Sequence, residues 1–149
     1  MKGFPDLPPI WLAASLAAVW LLARYLPLVT AFGPLYQGLG YGLIAVSLGL
    51  IGWSALWFRR KHTTIEPHHE PTALIVEGPY RISRNPIYLA LLGLLIGYVL
   101  ISGALSPLPL PFLFAYVLQR RFIEPEEAIL RHRFPQDAPR YFQRTRRWL

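Results

Sequence analysis

The chain has 149 residues, 54% of them hydrophobic and only 15% charged, a balance too apolar for an ordinary soluble domain of this length. Its net charge of +7 would suit a nucleic-acid binder, but of fifteen Lys and Arg five lie in 59–86 and eight in 120–147, at the borders of apolar segments. That placement points to a membrane and excludes a nucleic-acid face, while the lack of cysteine excludes disulfides, thiolate nucleophiles and Cys-based metal sites.

Taken in chain order, the first apolar run covers about 10–32 and is expected to stay as a retained helix, since no small-residue cleavage site follows it. Arg24 and Pro27 interrupt it, and Pro27 is placed to kink it. A second run, about 36–58, carries no charge, and the Gly33-Pro34 turn between the two predicts an antiparallel hairpin. A bilayer core of roughly 30 Å needs about 20 helical residues, which both runs supply. Gly38, Gly42, Ala45, Gly49 and Gly52 form a stripe of small residues on the second helix, expected to pack closely against Gly93 and Gly97 of the third and to permit a homodimer.

The uncharged run 87–118 would be about 48 Å long as one helix, which overshoots the membrane, so Pro107, Pro109 and Pro111 are read as a turn that divides it into helices at about 87–105 and 109–122. The fold class is therefore all-α: a single domain over 1–149, a polytopic membrane bundle of about four transmembrane helices. The 59–86 loop and the 123–149 tail hold nearly all the basic residues, which places both termini on the cytoplasmic side by the positive-inside rule. The tail mixes Arg and Glu with Phe134, Tyr141, Phe142 and Trp148 and is expected to lie as amphipathic helix on the membrane surface.

Two stretches carry chemistry. In GPYRISRNPIYL, Asn85 suits an N-cap and Pro86 the first helical position, so the third helix starts there and its first-turn amides, with Arg81 and Arg84 nearby, favour an anionic group. In IEPEEAILRHRF, Glu126 and Glu127 follow a proline; they serve either as ordinary helix-start carboxylates, with Glu127 pairing to Arg131 four residues on, or as partners of a cationic ligand. His62, Glu66, His68 and His69 lack ligand spacing for a metal, so no metal site is expected.

The two stretches together resemble the isoprenylcysteine carboxyl methyltransferase and phospholipid methyltransferase superfamily, integral membrane enzymes that use S-adenosylmethionine. GPYRISRNPIYL is similar to that superfamily's GPYR-x-x-RHP-x-Y segment, with Asn85 at the usual histidine as in an N-P-x-Y form. Glu126, Glu127, Leu130, Phe134, Tyr141, Arg147 and Trp148 match its second block, while Ala90 and Pro135 stand where glycine is usual. The resemblance implies that Gly78, Pro79 and Tyr80 form a cofactor wall, that Asn85, Pro86 and Tyr88 add the helix end, and that Glu126 or Glu127 binds the ribose hydroxyls or the ammonium group. It also implies Arg84, Glu127 and Arg131 as the catalytic set, with Arg84, Arg131 or Arg144 orienting an anionic acceptor. The acceptor would be a lipid or lipid-like molecule, an isoprenylcysteine carboxylate or a phospholipid amine, met at the cytoplasmic interface of the bilayer. Sterol reductases share a related helical core and a similar tail, so an NADPH-dependent membrane reductase is an alternative, and a non-catalytic membrane scaffold is another.

Overall fold

The structure is a computed structural model that describes residues 6–30, 32–61 and 73–149. Helices α1 (Pro8–Tyr25), α2 (Pro34–Arg60), α3 (Pro86–Ser102) and α4 (Leu110–Leu118) form the bundle, with α5 (Glu124–Arg133) and α6 (Asp137–Arg144) following. Among the described residues there is no β-strand, only a bridge between Thr30 and Ala104. By length and composition α2 is long and apolar enough to cross a membrane, and α3 is a shorter apolar helix of 17 residues.

Proline sets most helix starts: α1, α2 and α3 each have it in the first turn, where the missing N–H costs no hydrogen bond. It also ends α1 early. Leu26 precedes Pro27 and leaves the helical region, with φ −142° and ψ 60°, so the first helix stops at Tyr25 instead of continuing kinked to Phe32. Leu28 then takes a positive φ of 59°, and the connection crosses to the one between α3 and α4. There the Phe32 N–H donates to the Gly103 carbonyl at 3.3 Å and the Leu105 N–H to the Val29 carbonyl at 3.1 Å. At the other end Asp6 meets Arg121 at 2.8 Å, so successive helices alternate in direction and 59–61, 78–86 and the tail share one end.

The expected α1–α2 hairpin is not the main pairing. Helix α3 is the centre, with α2 packed along it on one side and α1 and α4 on the other. Its residues are apolar nearly all round, and Tyr88, Ala90, Leu91, Gly93, Leu95, Gly97 and Val99 are buried, as expected of a helix covered on several faces. Leu12, Val19, Leu91, Leu95, Val99, Phe114, Leu118 and Phe122 make the core.

The small-residue stripe is the second correction. Gly38, Gly42, Gly49 and Gly52 face open space; the packing face of α2 is Gly40 and Ser47. A Cβ on Gly40 would sit 2.6 Å from the Gly97 carbonyl oxygen, and one on Gly97 would sit 2.8 Å from that of Gly40, while Gly93 presses on the Ser47 hydroxyl. Gly93 and Gly97 do meet the second helix, as the sequence suggests, but on its other face. The two backbones touch there.

The fourth helix does not stop near 122. It runs from Leu110 to Arg133 through a π-helical turn at Gln119–Ile123, where the Glu124 N–H reaches the Gln119 carbonyl. Pro125 supplies the reason: its ring and missing N–H cannot fit the regular α ladder, and a widened turn just ahead of it absorbs the misfit. The tail therefore continues from the bundle and folds back onto 80–86 through α6, an amphipathic helix as expected, with Ala138 and Tyr141 on its buried face.

Candidate functional site

The turn after the described segment 73–77 is a 3-10 turn, Gly78–Arg81. Gly78 has φ +59°, and a Cβ there would collide with the Trp57 indole, so both the backbone and the space demand glycine. Lys61 and Glu77 pair at 2.9 Å across the ends of the intervening loop, and Phe58 packs edge-on against Tyr80 with centroids 5.7 Å apart. Pro79 and Pro86 are fully buried and brace the turn from inside. His62, Glu66, His68 and His69 lie outside the described residues; among those described, no group of three His, Cys, Asp or Glu could hold a metal.

The tail is sewn to this turn by its backbone carbonyls. The Arg84 N–H donates to the Arg146 carbonyl at 2.9 Å, and the Ser83 hydroxyl and the Asn85 amide donate to that of Arg147 at 3.2 and 2.9 Å. Asn85 thus occupies the N-cap position of α3 while its side chain serves the tail instead of capping the helix. The Tyr141 hydroxyl, buried, donates to the Tyr80 carbonyl at 2.8 Å. Burial pushes both phenols above their ordinary values, so they stay neutral donors over the physiological range.

The adjacent glutamates have different partners. Glu127 is buried and accepts two hydrogen bonds from Arg147, Nη2 at 2.7 Å and Nε at 3.1 Å, with Arg84 Nη2 at 3.4 Å on its other side. The expected pairing with Arg131 gives way to this arrangement; Arg131 instead lies over the Phe142 ring at 5.3 Å, which Arg84 also faces at 4.5 Å. Two stacked guanidiniums and one shared carboxylate hold the tail against the turn. Burial lowers Arg84's pKa, partly offset by Glu127, and its buried Nε has no partner.

Glu126 faces the other way. Its carboxylate accepts a hydrogen bond from the Tyr88 hydroxyl at 2.5 Å, and among the described residues it has no cationic partner. Burial raises its pKa to about 7 against the pull of that hydrogen bond. Tyr88 in turn lies beside Phe122 of the π turn, with centroids 6.2 Å apart. The widened turn therefore sets the angle at which Glu126 meets α3.

The structure brings Gly78, Pro79, Tyr80, Arg84, Asn85, Pro86, Tyr88, Glu126 and Glu127 to one end of α3, and it leaves Arg131 exposed on the outside of Phe142. Ser83 and the backbone of Arg146 and Arg147 join the site without a signal in the sequence, because carbonyls carry no residue identity. Arg147 had one: its register after Tyr141 in the second block. No curated protein and no solved structure matches the chain. The model of the family described as phospholipid methyltransferase matches residues 35–137, more than half the chain, and covers α2, α3, α4, the Tyr88–Glu126 pair and Glu127. The chain belongs to the phospholipid methyltransferase family.

Proposed function

We propose that the protein transfers a methyl group from S-adenosylmethionine to a lipid acceptor at the cytoplasmic face of a membrane that α1 to α4 span. The observation that carries this reading is Glu126, a partly buried carboxylate with a tyrosine partner and no cation of its own. Such a group lacks the charge that would stabilise its ionised form, and a positively charged ligand supplies it. Family membership supports methyl transfer to a lipid-type acceptor over nicotinamide-dependent reduction, and the apolar α2 fits membrane association. The clustering of 59–61, 78–86 and the tail at one end supports the cytoplasmic orientation.

S-adenosylmethionine, when bound, supplies a methyl group already activated on a sulfonium, so the protein needs neither a metal nor a covalent intermediate. Glu126 would hold the ammonium group or the ribose hydroxyls, with Tyr88 fixing its orientation through the 2.5 Å hydrogen bond. Tyr80, Tyr88 and Phe122 would provide the aromatic wall that keeps water from the reacting groups. Glu127, already satisfied by Arg147 and Arg84, is a positioning residue that keeps the tail closed over the turn. Alignment of donor and acceptor at about 3–3.5 Å is then the main source of rate.

Calorimetric titration of S-adenosylhomocysteine into the detergent-purified protein, with NADPH in parallel, tests the assignment. Binding of the former, weakened at least tenfold by Glu126→Gln, is expected; binding of NADPH alone would overturn it in favour of a reductase, and binding of neither in favour of a scaffold.

A further inference from the structure

A cavity of about 710 Å³ opens between the 74–76 segment and α6, within the size range of small-molecule sites, about 300–1,000 Å³. Arg81 from the 3-10 turn and Arg140 and Arg144 from α6 line it, together with Asp137, Leu74 and Val76. Several basic side chains near it are paired elsewhere: Arg84 and Arg147 with Glu127, Arg120 with Glu124, Arg121 with Asp6 and Lys61 with Glu77. Among the described residues Arg81, Arg140 and Arg144 form no ion pair. Three guanidiniums against one carboxylate leave a surplus of positive charge around a concave space.

We infer that this cavity binds a phosphate oxyanion, with Arg81, Arg140 and Arg144 as its donors. Guanidinium forks match the tetrahedral oxygens of phosphate in pairs, and a concave wall of one sign concentrates the field where the anion sits. Arg140 and Arg144 are four apart on α6, one above the other on a single face, so both can reach one group. Leu74 and Val76 give the same cavity an apolar side, which suits a phosphate carried on a glycerol or acyl body better than a bare ion. Asp137 opposes the anion and limits its affinity. The ligand class follows from charge and shape alone and is independent of methyl transfer.

The probes are dihexanoyl phosphatidic acid and inorganic phosphate, titrated calorimetrically into the full-length protein in a neutral detergent. The phosphatidate should bind, Arg140→Gln with Arg144→Gln should weaken it at least tenfold, and Asp137→Asn should tighten it several-fold, a gain that misfolding cannot imitate. Failure of inorganic phosphate to compete identifies a lipid headgroup as the source, and equal competition identifies the free anion; either supports an oxyanion site. Absence of binding by both probes overturns it, as does an affinity unmoved by the arginine and Asp137 substitutions. A loss as large in Arg133→Gln, outside the cavity, would reduce the effect to diffuse surface charge and overturn it as well.

Discussion

The two ends of the bundle are built by different physics. At the end where α1 passes to α2 and α3 to α4, no charged side chain takes part: backbone bonds from Phe32 to Gly103 and from Leu105 to Val29 tie the two connections together. At the opposite end the same task, holding chain segments distant in sequence, falls to Glu127, Arg147, Arg84, Asn85 and Tyr141. Backbone bonds satisfy the groups of an irregular connection wherever water is scarce, and they recognise nothing. A network of half-buried arginines around the buried Glu127 is costly to desolvate and holds the fold through the partnering of its charges. That one end has such a network, and keeps Glu126 outside it, is why we propose methyl transfer there.

The contrast is broken most strongly by Glu127→Ala. Removing the carboxylate leaves Arg147 and the half-buried Arg84 facing each other without compensation, at a cost of about 3 kcal/mol. A drop in melting temperature together with faster proteolysis of the tail is expected; unchanged tail protection would mean that the carbonyl contacts alone hold it. Among the described residues each end has one glycine with positive φ, and these give a matched pair. Gly78→Ala should cost about 2–4 kcal/mol, because backbone strain adds to the collision with Trp57. Gly103→Ala, at φ +75° with the Phe32 carbonyl a comfortable 3.6 Å away, should cost only about 1 kcal/mol. Equal losses in urea unfolding would contradict the view that the charged end is the more tightly constrained.

Acidity separates the ends further. Glu126 binds its proton more tightly in the folded protein, at about 7, than in an unfolded chain, so between about pH 4.5 and 7 the folded state holds more protons and stability falls as pH rises. The loss, up to about 3 kcal/mol, should vanish in Glu126→Gln, and a wild-type profile that climbs over this window would show the carboxyl to be ordinary. Affinity for S-adenosylhomocysteine should move the opposite way, rising with pH as the carboxylate forms. The smallest effect is on α2: Gly38→Ala, facing open space, should change nothing measurable, whereas Gly97→Ala on α3, where the two helix backbones meet, should destabilise by about 1–3 kcal/mol.

How much of this was legible in the sequence follows from which interactions are local. The start of α3 at Pro86, the uncharged turn near Pro107 and the gathering of basic segments at one end depend on proline, hydropathy and charge, all readable in one dimension. The end of α1 at Tyr25 is less plain: Pro27 signals either a kink or a stop, and it is a stop because Leu26 leaves the helical region before it. The packing face of α2 was not legible: one glycine, Gly40, makes the contact, and a longer row of glycines points elsewhere. A small residue permits close approach without commanding it. The continuity from α4 into α5 was hidden for the converse reason, since Pro125 reads as a break until the π turn ahead of it is seen. The two motif stretches do meet at one end of α3, but the division between Glu127, committed to arginines, and Glu126, left without a cation among the described residues, exists only in three dimensions.

The most direct measurement is transfer of tritium from methyl-labelled S-adenosylmethionine into lipid extracted from vesicles that contain the purified protein. Label in the lipid fraction, abolished by Glu126→Gln and reduced in step with tail docking by Glu127→Gln, is the predicted result. Full transfer by the Glu126→Gln protein, or none by a folded wild type that binds no S-adenosylhomocysteine, would contradict the assignment of this end as the methyl-transfer site.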